Sequence, residues 1–350
     1  MTVKLAQRRE PPEIPGPSTS RRLTEQVFRV REFGIIAVLV VFAGITAAIQ
    51  PRFLNLQNIQ FVLVDATIFA FLALGETMVV VSRNVDLSIG SVLGLSAFVS
   101  ANLFAQHRGI PIPAVFLAGL GIGLACGMVN GFLVSVGRVP SLVVTLATLY
   151  IIRGIDVLTV GGGQVVAASL PAGFLNIPKA TVAGIPALAI VIAVLVGLGA
   201  YYLRSFRSGR ELYAIGSNPD AARLAGIPVA RRVFTAFAAS GAIAGLAGAL
   251  WAARYGTIDS TAGTGYELQV IAAVVVGGVA IFGGSGSAVG AAFGALLLAT
   301  INSALYVLGI SPFWDQSIAG FLLIVAIALD RAIYLRLTAA LRTRSSRRAT

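Results

Sequence analysis

An all-α, polytopic helical membrane protein is the fold class this sequence predicts, with about ten transmembrane helices and both termini cytoplasmic. Three observations lead there. Hydrophobic residues fill 57% of the 350 positions and charged residues only 11%, whereas a soluble domain is nearer a quarter charged. The apolar residues fall into runs long enough to cross a bilayer. The basic residues gather between alternate pairs of runs, as they do in loops retained inside.

The chain opens with a polar, Pro-rich, basic stretch, residues 1–32, which includes PPEIPGPSTSRR. It lacks the apolar residues needed to form a core and is expected to be a disordered cytoplasmic tail. It is also too long and polar for the leading part of a cleaved signal, so the run after it reads as a retained span. The transmembrane domain covers 33–336, and a second basic tail covers 337–350. Ten runs are expected as spans: 33–49, 59–81, 87–105, 113–136, 141–160, 186–203, 232–253, 268–282, 287–308 and 316–334. The eighth is short and glycine-rich.

With the N-terminus inside, the outer loops hold only Arg52, Arg108, Lys179 and Arg254, and Arg153 falls within a span. All other basic residues, of 26 in total, lie on the inner side. This bias requires an even number of crossings. It also accounts for the net charge of +12 without invoking nucleic acid. Cys126, the single cysteine, can form no internal disulfide. With His107 as the single histidine, it leaves too few soft ligands for a zinc or haem site, and no cofactor is expected.

Two breaks interrupt neighbouring runs on the same side. The second and third runs are separated by SRNVDLSIGS, Ser82 to Ser91, and the eighth and ninth by GGSGS, Gly283 to Ser287. VVVSRN…GSVLG echoes VVVGGV…GSAVG. Such an echo is either an internal repeat of interrupted spans around a central site or the result of glycine-rich packing. Asp86 in the first break is either a helix N-cap residue or part of an opened backbone beside a pathway. Asp65 and Glu76 lie near opposite ends of the second span. Arg153 and Asp156 share a face of the fifth. They either neutralise each other while snorkelling or form a polar patch for hydroxyl groups. Arg254, Asp259, Glu267 and Asp315, with Arg108 and Lys179, form either a solvated outer rim or a docking rim for a partner.

The longest polar interruption, 204–232, reads RSFRSGRELYAIGSNPDAARLAGIPVARR. Asn218 suits an N-cap, Pro219 the first helical position and Asp220 the positive helix end. Gly226 can take a left-handed conformation that ends the helix, and Pro228 blocks its restart. A short helix with firm caps on the cytoplasmic side is suited to docking against a partner. Its Ala221, Ala222, Leu224 and Ala225 could enter a groove, and Arg223 could meet an acid there.

DAARLAG, Asp220 to Gly226, resembles the EAA-loop signature of ABC importer permeases, with Asp220 where Glu is usual and the later Ile-x-Leu-Pro part missing. SRNVDLSIGSVLG resembles the GGIDLSVGS-type segment of the ribose, rhamnose and autoinducer-2 permeases. Its Arg83-Asn84 is closer to the rhamnose and autoinducer-2 branch. VPSLVVTLATLYIIRG, GRELYAIGSNPDAARLAGI, GTGYELQVIAAVVVGG, FGGSGSAVGA and ISPFWDQSIAG follow in the same family's order.

The resemblance implies a passive pathway subunit in the bacterial plasma membrane, not an enzyme. It also implies cytoplasmic ATP-binding subunits, an extracytoplasmic sugar-binding protein and a second permease, identical or not. The cargo would be a rhamnose-like or ribose-like monosaccharide, with autoinducer-2 close behind. Ser82, Asn84, Asp86, Ser88, Thr145 and Thr148 would border the pathway. Asn218, Asp220, Ala221, Ala222, Arg223, Leu224 and Gly226 would couple it to the ATPase. No G-x-x-x-x-G-K-[ST] occurs, so a P-loop is lacking, and no Ser-His-Asp or Cys-His set supports an intramembrane hydrolase. The alternative is an ion-coupled secondary transporter that uses Asp65 and Glu76.

Overall fold

The computed structural model describes residues 19–328 apart from Arg108, with side chains from Phe33 onward. The described chain is helical almost throughout: α1 (Thr19–Ile49), α2 (Leu56–Val81), α3 (Ile89–Gln106), α4 (Ile112–Ser135) and α5 (Ser141–Val160) come first. A short α6 (Ala172–Leu175) and a hairpin of β1 (Thr181–Val182) with β2 (Ile185–Pro186) lead into α7 (Ala187–Ser205). Then come α8 (Arg207–Ser217), α9 (Pro219–Leu224), α10 (Val229–Tyr255), α11 (Tyr266–Val276) and α12 (Ala288–Val307). The last described helix is α13 (Trp314–Ala328).

Among the described residues, seven helices are long and apolar enough to cross a membrane: α2, α3, α4, α5, α7, α10 and α12. Phe33–Ile49 of α1, α11 and α13 are shorter apolar helices. The eighth run therefore needs correction. It is the 11-residue α11, which rises about 16 Å, roughly half the hydrocarbon thickness. Gly277 caps its end, and the chain then stays non-helical until Ser287, so the second break is longer than GGSGS. The N-terminal stretch also differs from expectation: α1 already begins at Thr19. Residues 1–18 and 329–350 lie outside the described residues, as does the last part of the tenth run.

α2, α3, α10 and α12 form the interior. The apolar window of α2 is 89% buried, whereas those of α4 and α7 are only 22% buried. The outer helices thus turn apolar faces outward, as a bilayer requires. Interior packing relies on small residues, because lipid offers no hydrophobic drive between helices. On α4, Gly119, Gly123 and Gly127 recur at every fourth position and meet Gly241 and Gly245 of α10. A Cβ at Gly123 would lie 2.0 Å from the Gly241 carbonyl oxygen. Residues 161–186 cap the bundle end farthest from α8 and α9. There Phe174 and Leu170 pack with Phe104, Val115 and Ile258.

Candidate translocation pathway and coupling site

α2 ends because Ser82 and Arg83 turn the chain. Arg83 takes a left-handed φ of 68°, and its N–H donates to the Val80 carbonyl at 2.9 Å. The break then crosses the interior before α3 starts. Here it needs polar partners, because irregular backbone at membrane depth must be satisfied by protein.

Those partners are present. The Asp86 N–H donates to Glu76 Oε1 at 3.0 Å. Asp86 Oδ1 accepts from the Ser88 N–H at 2.9 Å and from its hydroxyl at 2.6 Å. Asn130 of α4 donates to Ser88 Oγ at 2.8 Å. The Val85 N–H reaches Ser141 Oγ, and Thr145 donates to the Val85 carbonyl at 3.3 Å as well as to Ser141. Asn84 donates to Ser82, whose hydroxyl donates to the Val79 carbonyl.

Five of the six predicted pathway residues thus gather at one break, and Thr148 lies one turn farther along α5. Ser82, Asp86, Ser88 and Thr145 are buried, and Asn84 is half-buried. Asp86 is not the helix cap. Ser88 occupies that position, and Asp86 shapes the turn before it. Asn130 was missed by sequence reasoning, since a lone Asn in a glycine-rich helix carries no local signal. Glu76 is fully buried, and its Oε2 has no hydrogen-bond partner.

The second break lies against the first. The Gly284 N–H donates to the Val81 carbonyl at 2.9 Å. The end of α8 closes on both breaks: a Cβ at Gly216 would sit 1.9 Å from the Val81 oxygen and 2.4 Å from the Gly284 nitrogen. Tyr213 donates its hydroxyl to the Gly286 carbonyl at 3.0 Å, and burial raises the phenol to about 12.

α8 is an addition, since the sequence reading placed only one helix in 204–232. It is amphipathic, with Leu212 and Ile215 inward. Glu211 clamps it to α10, accepting from Arg232 Nε at 2.5 Å and Arg207 Nε at 2.8 Å. The Arg232 hydrogen bond, foremost, holds the Glu211 carboxyl below its ordinary value.

α9 has the ends its sequence predicts. Asn218 Oδ1 accepts from the Asp220 and Ala221 N–H groups at 3.1 and 3.0 Å. Gly226 stands at φ 77°, donating to the Arg223 carbonyl while Ile227 donates to that of Ala222. This paired arrangement is a Schellman ending. Ala221, Asp220, Arg223 and Leu224 are exposed, Leu224 at 91%. One expectation needs correction. Ala222 is only 4% exposed and packs into the core, because it lies on the α9 face that meets α8 and α10. Arg223 pairs with Asp220 on its own helix at 2.9 Å.

The expected outer rim also changes. Arg254 bonds Asp65 at 3.2 Å and lies over the Phe61 ring, so neither charge is free. Gln269 donates to Asp315, and Glu267 is half-buried with Oε2 unpartnered. Lys179 remains exposed, and Arg108 lies outside the described residues. Arg153 and Asp156 do pair, at 3.4 Å. Asp156 is buried, however, and Arg153 turns into the protein.

A family model described as branched-chain amino acid transport system / permease component matches residues 58–327. Among curated relatives, the autoinducer 2 import system permease protein LsrC of Enterobacter sp. (strain 638) is 34% identical over 308 residues, 88% of this chain and 89% of the relative. The protein of that name from Salmonella typhimurium (strain LT2) is 37% identical over 84% of this chain and 83% of its own length. That from Escherichia coli O157:H7 is 35% identical over 85% of each. No solved structure matches the chain.

Proposed function

Because this chain belongs to the family of branched-chain amino acid transport system permease components, and is a multi-pass helical membrane protein, we propose that it is the pathway subunit of an ABC importer for a small hydroxyl-rich solute. Autoinducer-2 moves ahead of a rhamnose-like or ribose-like sugar, because the relatives above carry that cargo in their names. The proposed assembly pairs this chain with a second permease, two cytoplasmic ATP-binding subunits and an extracytoplasmic binding protein. Hydrolysis belongs to the ATP-binding subunits. Both termini, α8 and α9 then face the cytoplasm, in line with the arginine distribution.

The observation that carries this reading is the junction of α8 with both breaks. The exposed α9 is capped at both ends, and through α8 it abuts Val81 and Gly284. A push on α9 would therefore reach the two interrupted segments together. Ser82, Asn84, Asp86, Ser88, Thr145 and Thr148 are the proposed pathway residues, since their polar groups stand where the spans are broken. Asn218, Asp220, Ala221, Arg223, Leu224 and Gly226 are the proposed coupling residues. Ala222 supports them from inside.

The test is reconstitution of the chain in proteoliposomes with candidate ATP-binding and solute-binding partners. Autoinducer-2 uptake should require ATP and the binding protein. Uptake driven by a proton or sodium gradient without ATP would overturn the reading.

A further inference from the structure

Arg153 is the one basic residue the sequence puts inside a span, and snorkelling does not explain its position. Its side chain is 19% exposed. Nη1 donates to the Ala262 carbonyl at 2.7 Å and the Ser260 carbonyl at 3.2 Å. Both acceptors belong to the segment 256–265 between α10 and α11. Among the described residues, neither carbonyl takes a loop backbone bond. Arg153 thus supplies the polar partner that this stretch of backbone otherwise lacks. An ionised donor makes such bonds about twice as strong as neutral ones.

The segment enters the bundle from the end opposite α8 and α9. One end is tied by the reciprocal bonds between Val165 and Ile258, each 2.9 Å. It then lies against the start of α3. A Cβ at Gly94 would be 2.3 Å from the Ala262 carbonyl, and one at Gly263 would be 2.3 Å from the Gly90 carbonyl. It therefore covers the first turns of α3, directly after the break that holds Asp86 and Ser88. On its other side stands α5, whose outer face is apolar and exposed, with Leu158 at 83%.

We propose that Arg153 is a positioning residue that latches the segment 256–265 shut over α3, so that this segment forms the gate opposite the coupling helix. Movement of α5 withdraws the guanidinium from two carbonyls at once and frees the segment to lift. Asp156 takes only a long contact from the same Nη1, at 3.4 Å, and offsets the charge without closing the latch. The transport role of the gate rests on the import reading, but the latch can be measured without any solute.

The experiment uses intact cells expressing the full chain with Cys126→Ser and Ser260→Cys, and a membrane-impermeant maleimide as probe. Arg153→Gln removes the charge-assisted bonds. Since that variant leaves Asp156 buried without its cation, the double variant Arg153→Gln/Asp156→Asn is measured beside it. Asp156→Asn alone keeps both bonds to the carbonyls. Labelling should be about tenfold faster in the variants lacking Arg153, as local opening becomes less costly, and unchanged in Asp156→Asn. Equal labelling in parent and double variant would overturn the latch. So would equally fast labelling in Asp156→Asn, because the carbonyl bonds would then not be what holds the segment. Uptake by the parent chain tests the import reading separately.

Discussion

The Gly284 N–H donates to the Val81 carbonyl across 2.9 Å, so the backbones of the two interrupted segments are joined directly. Gly216 packs over that bond with no room for a methyl group. Three elements distant in sequence thus meet at this one junction.

Gly216→Ala should therefore separate α8 from the breaks. Helix propensity alone would make the change stabilising by about 1 kcal/mol, since Gly is a poor interior residue. The close contact predicts the opposite, a loss of about 1–3 kcal/mol from overpacking. Uptake should fall at least tenfold while the ATP-binding subunit still copurifies. A variant with a higher melting temperature and normal uptake would show that the junction does not transmit movement.

At the first break, Asp86→Ala and Asp86→Asn separate two roles. Alanine removes the acceptor for both Ser88 donors, and leaving buried donors unpaired costs about 1–3 kcal/mol each. Asparagine keeps an oxygen for them and removes the charge. If the carboxylate serves the pathway, both variants lose uptake, and only the alanine variant loses stability. Normal uptake with asparagine would leave Asp86 a turn-forming residue. Glu76→Gln should be tolerated better than Glu76→Ala, since the amide oxygen can still accept from the Asp86 N–H. Melting temperature in detergent and solute uptake together give the answer.

The Glu211 clamp carries a pH dependence. Its carboxyl is held below the ordinary value of 4.5, chiefly by Arg232. A carboxyl with a depressed folded value stabilises the fold above its unfolded value and loses that contribution as pH falls through the folded one. The clamp should be intact at neutral pH and weaken progressively below about 4.5, the reference range for Glu. Glu211→Gln should lower the melting temperature at pH 7, and the gap to the parent should narrow as pH falls below about 4.5. Arg232→Ala should cost about 2 kcal/mol, the scale of a charged hydrogen bond. Arg207, 81% exposed, should matter much less because solvent screens it. A pH-independent difference between parent and Glu211→Gln would remove the clamp from the argument.

What the sequence made legible was local. Asn218 and Gly226 sit where capping chemistry requires them, and the structure returns both bonds of the cap and the left-handed turn. The breaks after Val81 and before Ser287 were visible because Ser, Asn and Gly interrupt long apolar runs. Partners far along the chain were not visible. Arg254 finds Asp65 across 189 positions and Asn130 finds Ser88 across 42. Composition placed Arg254 in an outer loop but could not indicate what it faces. The inward turn of Ala222 likewise depends on α8, a helix whose amphipathic pattern was hidden among arginines.

The short helix α9 gives the last prediction. Leu224 is 91% exposed at the end of α9, and a large apolar side chain so presented beside core-facing Ala222 suits a partner's groove. Leu224→Asp should leave this chain's own stability nearly unchanged, because an exposed substitution is usually within about 0.5 kcal/mol. It should still abolish copurification of the ATP-binding subunit or its stimulation by substrate, since a charge buried without a partner at a contact is costly. Gly226 tests the helix's shape rather than its surface. A Cβ there meets nothing within 4 Å, so any effect comes from φ 77° and not from crowding. Gly226→Asn should be tolerated, because Asn visits the left-handed region readily. Gly226→Val should lose coupling, because a β-branched residue there is strained by about 1–2 kcal/mol or more. The assay is copurification plus solute-stimulated ATP hydrolysis in reconstituted membranes. If Leu224→Asp and Gly226→Val both couple normally, the ATPase engages another surface, and α9 is only a capped turn between α8 and α10.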